Sequence, residues 1–324
     1  IRSFQKSHRF KIKMNKTKQF LKSFLPKYIY FKKKNESIAI IGTRRGGTTF
    51  LSSLIGSSKT RIVDQPTEAF SREYKSNIVR VKRQVLPPKE LYQYFNISED
   101  DKICLTKYIQ EIELGGYSIL DLNFGLFKDR IVYKLVQGGF ILDILSELNI
   151  KPLIIFRHPI LQSLSCIRNN WGNIYNVYLD SSYFRETYLT EVQIKKMISI
   201  DKHGSAIEKG ILDWYCGNVH ILRNWTHYPT VFYEDLVLNP EENFKMIESN
   251  FQVKVRKDKF NIASGSSFLS EDDFKNNIQN MEYKKSHIIK SLAALDDKQK
   301  YQELFNVLNI DIYTAFSALP VKCL

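Results

Sequence analysis

The chain has 324 residues, 43% of them hydrophobic and 25% charged, with a formal net charge of +14. This composition supplies enough apolar side chains for one large α/β core or two small domains. No apolar run approaches the length of a membrane span and no signal-peptide pattern opens the sequence. The four cysteines form no CxxC pair, so a reducing cytoplasm is the expected setting.

The charge is unevenly placed. Residues 1–34 hold twelve Lys/Arg and no acid, which leaves 36 basic against 34 acidic residues, a net of +2, in the remainder. Two segments are therefore expected: a basic N-terminal arm over 1–34 and a single domain over 35–324. Because the domain is nearly neutral, no nucleic-acid partner is predicted. Within the arm, Phe20, Leu21, Phe24 and Leu25 share one helical face, with Lys18 and Lys22 opposite, before Pro26. Such a piece either stays solvated or docked on its own domain, the favoured reading, or makes peripheral contact with an anionic membrane.

The first predicted element of the domain is a buried parallel strand over Ile38–Gly42, rich in Ile. Thr43-Arg44-Arg45-Gly46-Gly47-Thr48-Thr49 follows, and then Phe50, Leu51, Leu54 and Ile55 recur at helical spacing. Strand, glycine loop and helix together aim backbone N–H groups at a bound phosphate. Gly42, Gly47 and Thr49 fit the Walker A spacing, but the lysine position holds Thr48. That lysine serves the β- and γ-phosphates of a nucleoside triphosphate, so its absence argues against an ordinary NTPase or kinase.

Arg61–Val63 reads as a short strand leading into Asp64-Gln65-Pro66-Thr67-Glu68-Ala69-Phe70. Residues 71–110 are mixed and charged, with a turn at Pro87-Pro88 and a helix expected around Leu91–Phe95. Arg130–Lys134 is a strand, Phe140 to Leu145 a helix, and Pro152–Phe156 a second apolar strand. Strands alternating with helices of this length predict an α/β domain, a central parallel sheet flanked by helices. The last strand runs into Arg157-His158-Pro159, with Ser165 eight residues after the arginine. A guanidinium at a strand's carboxyl end and a hydroxyl on the next helix can converge on one dianion. Residues 176–203, rich in Tyr, Ser and charge, are expected to lie over the site. A helix around Ile207–Trp225 precedes Thr230–Asn239, within which Tyr233-Glu234-Asp235-Leu236 stands before Pro240. Glu234 is expected to be a buried hydrogen-bonded link and Asp235 a helix-start residue. Residues 252–324 show helices and no readable motif.

Three of these motifs, in this order, resemble those of sulfotransferases that use 3′-phosphoadenosine 5′-phosphosulfate (PAPS). The Arg45-Gly46-Gly47-Thr48-Thr49 loop resembles their 5′-phosphosulfate loop, in a variant seen in heparan-type carbohydrate enzymes, with Gly46 where most have serine. Arg157, Pro159 and Ser165 are similar to their 3′-phosphate motif, with His158 at the variable middle position. Tyr-Glu-Asp-Leu followed by Pro is the third. The resemblance covers about residues 36–251 and implies a P-loop, nucleotide-kinase-like sulfotransferase fold. It implies cofactor contacts from Arg44, Arg45, Gly46, Gly47, Thr48, Thr49, Arg157 and Ser165, with no metal required. Lys134 matches a lysine that many relatives carry and, with Arg45, is the candidate cation for the leaving phosphate. Glu68 matches the place of a glutamate base in heparan-type and some bacterial relatives. The acceptor, a hydroxyl or amine of a glycan, lipid, peptide or small molecule, is not coded in these motifs. A P-loop kinase-like phosphotransferase is the alternative reading.

Overall fold

The computed structural model describes residues 35–65, 95–113, 129–260 and 281–321. The basic arm and Glu68 lie outside them, as does most of the helix expected around Leu91–Phe95. Among the described residues, five strands form one all-parallel sheet in the order β2-β3-β1-β4-β5. They are β1 Ile38–Gly42, β2 Thr60–Asp64, β3 Arg130–Val136, β4 Lys151–Phe156 and β5 Thr230–Phe232. β1 is buried along its whole length between β3 and β4, which is why its sequence is apolar without alternation.

Helix α1, Thr48–Ile55, returns from β1, and α2, Glu99–Glu113, precedes β3. Ser37 and Tyr133 both donate to the Glu113 carboxylate, at 2.8 and 2.7 Å, tying the end of α2 to the sheet. The apolar run at Phe140 becomes a 3₁₀ turn, Gly138–Ile141, and then α3, Leu142–Glu147. Helix α4, Pro159–Arg168, opens with a proline in its first turn, where the missing N–H costs nothing.

Residues 175–203 form α5 Tyr175–Asp180, α6 Ser182–Tyr188 and α7 Glu191–His203. They belong to the core, in which Tyr178, Phe184, Met197 and Ile200 are buried. Tyr178, Phe184 and Tyr188 join Phe95 and Phe140 in one aromatic cluster, with ring centroids 4.8 to 6.3 Å apart. Helix α8, Ala206–Leu222, starts with a Ser205–Glu208 capping box and lies against α4. The approach is close, since a Cβ on Gly210 would sit 2.5 Å from the Ser163 hydroxyl. Beyond β5 come α9 Tyr233–Leu238, α10 Pro240–Phe251, α11 Lys257–Phe260, α12 Met281–Ala293 and α13 Lys298–Leu308.

This strand order sets the position of the site. The chain leaves β1 toward β2 and leaves β4 toward β5, on opposite sides. Ligands in open α/β sheets bind in the crevice at such a divergence, outside the carboxyl ends of the strands. The segments that follow β1 and β4 are the glycine loop and Arg157-His158.

Candidate active site

The glycine loop is fixed by its own backbone. The Gly46 N–H donates to the Thr43 carbonyl at 2.9 Å, and Gly47 caps α1 in the left-handed region, φ 101°. A Cβ on Gly47 would lie 2.6 Å from the Tyr233 ring, so only glycine suits both the dihedral and the space. Arg45 also adopts a left-handed backbone, φ 61°, which is uncommon outside glycine and turns its carbonyl toward β4. Thr43 donates through Oγ1 to the buried Gln162 side chain at 2.8 Å, anchoring the loop on α4. The N–H groups of the first turn of α1 have no partner within the helix and are the natural anion donors.

The two arginines of the loop diverge. Arg44 turns to α8, where its Nη2 lies 2.6 Å from Asp213 Oδ2 and also donates to the Gly172 carbonyl at 2.8 Å. Asp213 accepts the Ile174 N–H at 2.6 Å through its other oxygen, so Arg44 and Asp213 together hold the 172–174 turn against the loop. Arg45 turns to α4 and donates from Nε to Ser165 Oγ at 3.1 Å. Both guanidinium groups border the exposed Trp171 ring, 6.0 and 5.7 Å from its centroid.

Arg157 completes this cluster. Its Nη1 donates to the Arg45 carbonyl at 2.9 Å, and its guanidinium stacks 4.8 Å from the Tyr233 ring centroid. Its Nε is buried 3.9 Å from Glu234 Oε1, beyond hydrogen-bonding distance, and no described residue accepts from Nη2. Burial first, then the neighbouring Arg157, lower the Arg45 pKa from its ordinary value. Three residues far apart in sequence, Arg45, Arg157 and Ser165, are thus joined in one hydrogen-bonded group at the β1–β4 crevice. A guanidinium in such a group, its Nη2 without a described acceptor, is a fit for a phosphate oxygen.

Lys134, near the end of β3, reaches the other side of the loop. Its Nζ lies 3.2 Å from Thr49 Oγ1 and 2.8 Å from the Asp64 carboxylate. Thr48 is buried in the first turn of α1, while Thr49 is exposed at the loop mouth. The loop threonines, Arg45, Lys134, Arg157 and Ser165 therefore meet at one end of the sheet, whereas Arg44 is committed to Asp213.

Behind the cluster, Glu234 is fully buried and hydrogen-bonded, as its sequence setting suggested. It accepts the His158 N–H at 3.1 Å and the Tyr313 hydroxyl at 3.1 Å. Desolvation pushes its pKa up to about 7, opposed by Arg157. Asp235, in the first turn of α9, accepts from the side chains of Asn239 and Asn243. His158 is wholly buried. Its Nδ1 accepts the Ile160 N–H and its Nε2 bonds the Thr314 carbonyl, which fixes the neutral Nε2–H tautomer, and burial holds its pKa near 4. The Trp214 indole donates to the Arg157 carbonyl at 2.7 Å.

Sequence reasoning missed Asp213, Trp171, Trp214, Asp64, Tyr313 and Thr314. None stands in a motif. Only the β2–β3 register, which makes Asp64 and Lys134 direct neighbours, carries a rule that could have found one. Among the described residues no group of His, Cys, Asp and Glu is placed to hold a metal ion, and no helix is long and apolar enough to cross a membrane.

No protein-family model and no curated protein sequence matches the chain. Several solved structures are similar in outline. The sulfotransferase domain from the curacin biosynthetic pathway is 13% identical, TM-score 0.40, over 86% of this chain and 99% of that one. Mouse sulfotransferase SULT7A1 complexed with PAP is 14% identical, TM-score 0.37, over 89% and 91%. The sulfotransferase domain of the Synechococcus PCC 7002 olefin synthase is 14% identical, TM-score 0.36, over 78% and 86%. Similarity at this level assigns neither a reaction nor a residue's role.

Proposed function

We propose that the chain is a sulfotransferase that moves the sulfuryl group of PAPS to a hydroxyl or amine. The observation that carries this reading is the joined group Arg45–Arg157–Ser165 beside a glycine loop lacking the Walker lysine. A loop without that lysine suits a nucleotide with no γ-phosphate, and a second cationic site, Arg157 beside Ser165, suits a second phosphate.

In this reading the first-turn N–H groups of α1, Thr48 and Thr49 hold the 5′-phosphosulfate. Arg157 and Ser165 hold the 3′-phosphate, with Arg157 kept in plane by Tyr233 and the Arg45 carbonyl. Glu68 takes the acceptor's proton. The acceptor oxygen bonds to sulfur as the bond from sulfur to the phosphate oxygen breaks, and Arg45 and Lys134 stabilise the charge that gathers there. No metal has a part in this scheme.

The test is binding of 3′-phosphoadenosine 5′-phosphate (PAP), AMP and ATP-Mg²⁺ by calorimetry. A charge-assisted contact is worth ~1.5–3 kcal/mol, so PAP is expected to bind ~10–100-fold tighter than AMP. Arg157→Ala should erase that preference. Equal affinity for PAP and AMP, or a preference for ATP-Mg²⁺, overturns the reading in favour of a phosphotransferase.

A further inference from the structure

Lys134 is nearly covered, with 10% of its side chain exposed, yet its ammonium reaches the loop mouth. Asp64 is its direct partner in the parallel β2–β3 ladder, so both side chains leave the same face. The ladder ends there. The Gln65 N–H closes it on the Lys134 carbonyl at 2.9 Å, and Gln65 turns the chain away with φ 42°. Both Asp64 oxygens lie 2.8 Å from Nζ, and Thr49 Oγ1 lies 3.2 Å from it. An ammonium has three donors, and the carboxylate and the hydroxyl engage two of them. The Asp64 side chain is itself 60% exposed, so it is not needed to fill the core.

We propose that Asp64 is a positioning residue for Lys134, its carboxylate holding the ammonium against Thr49 so that the remaining N–H faces the oxygen that leaves the sulfuryl group. This rests on the sulfotransferase reading above. Lysine is a flexible stem whose head loses rotamer freedom when it is fixed, so fixing it before reaction is worth roughly tenfold in rate. The effect of Asp64 passes through Lys134 alone, which makes it separable from a group that takes the acceptor's proton.

The experiment compares Asp64→Asn, Lys134→Ala and the double variant. PAP affinity is measured by calorimetry and turnover by PAP released from PAPS with 4-nitrophenol as acceptor. If the unaltered chain does not sulfate the phenol, slow hydrolysis of PAPS, with water as acceptor, is read instead. Asp64→Asn is expected to lower kcat about tenfold while PAP affinity stays within about threefold. The double variant should be no slower than Lys134→Ala, because residues acting through one group are not additive. Near-normal turnover in Asp64→Asn overturns the proposal, and so do multiplying losses, which would give Asp64 a role of its own such as accepting the proton. Both results leave the sulfotransferase reading standing. An unaltered chain that binds no PAP, or binds it but cleaves PAPS with neither acceptor, removes that reading and this inference together.

Discussion

The front and the rear of the β1–β4 crevice are built on opposite principles, although one residue step separates Arg157 from His158. At the front, burial and then the neighbouring Arg157 lower the Arg45 pKa, and the buried Arg157 Nε makes no hydrogen bond, its nearest acid being Glu234 at 3.9 Å. At the rear, His158 uses both ring nitrogens, and Glu234 accepts from the His158 N–H and from Tyr313. A buried polar group left unsatisfied costs free energy, so the rear, whose buried groups are paired, is stabilised by the fold itself, while the front keeps donors that an anion could engage. The rear fixes the backbone from which Arg157 projects, and the front is left chemically incomplete.

The largest expected effect falls on Glu68, which lies outside the described residues. If Glu68 takes the acceptor's proton, its basicity matters in the transition state and little for binding PAP. Glu68→Gln keeps size and hydrogen-bonding shape, so turnover should fall by roughly 10²–10⁴-fold with PAP affinity within a few-fold. Near-normal turnover clears Glu68 of the role. Loss of PAP binding in a folded variant gives it to the shaping of the loop instead.

The front was largely legible in the sequence because it is made of short motifs. Arg45, Gly47, Thr49, Arg157 and Ser165 each stand at a fixed distance from a strand end, and strand ends are visible as apolar runs. The alternation of strands and helices likewise gave the parallel sheet. The rear was half legible. Glu234 was marked by the Tyr-Glu-Asp-Leu motif, but its partner Tyr313 lies 79 positions away in a stretch without a motif. Asp213, 169 positions from Arg44, was hidden for the same reason, since helical periodicity places it on a buried face without naming its partner. Short-range pattern finds the loops at the strand ends. Long-range pairing, which decides what holds them, is settled only by packing.

The neighbouring arginines sharpen the contrast at intermediate size. Arg44 belongs to the fold, because removing it strands the largely buried Asp213 beside α8. Arg44→Ala is expected to cost about 1–3 kcal/mol in urea unfolding, the penalty for breaking a largely buried pair discounted for the arginine's partial exposure. Arg45 faces a like charge, so Arg45→Ala should leave stability within about 0.5 kcal/mol or raise it while reducing turnover. If Arg45→Ala proved the more destabilising of the two, the division between a holding and a binding arginine would be wrong.

The smallest expected effect is a cancellation at the rear. Glu234, with its pKa raised from 4.5 to about 7, keeps a proton in the folded chain where the unfolded chain has lost it. That contribution is complete below pH 4.5 and declines as pH rises toward 7. His158, with its pKa lowered from 6.5 to about 4, refuses a proton in the folded chain that the unfolded chain accepts. Its contribution has the opposite sign, growing as pH rises from 4 to 6.5. Between about pH 4.5 and 6.5 each term amounts to ~1.4 kcal/mol per pH unit, and the two offset one another. The pair should therefore add almost no pH dependence to the unaltered chain over that window. Glu234→Gln removes one term, so relative to the unaltered chain its stability should climb with pH between 4.5 and 6.5. His158→Gln keeps a donor for the Thr314 carbonyl and removes the other term, so its stability should fall over the same range. Urea unfolding of the three proteins at pH 5, 5.5, 6 and 6.5 measures these slopes directly. A Glu234→Gln curve parallel to that of the unaltered chain, with His158→Gln still falling away, would mean that Glu234 is ionised in the fold, and the buried carboxylate would then belong with Arg157 at the front.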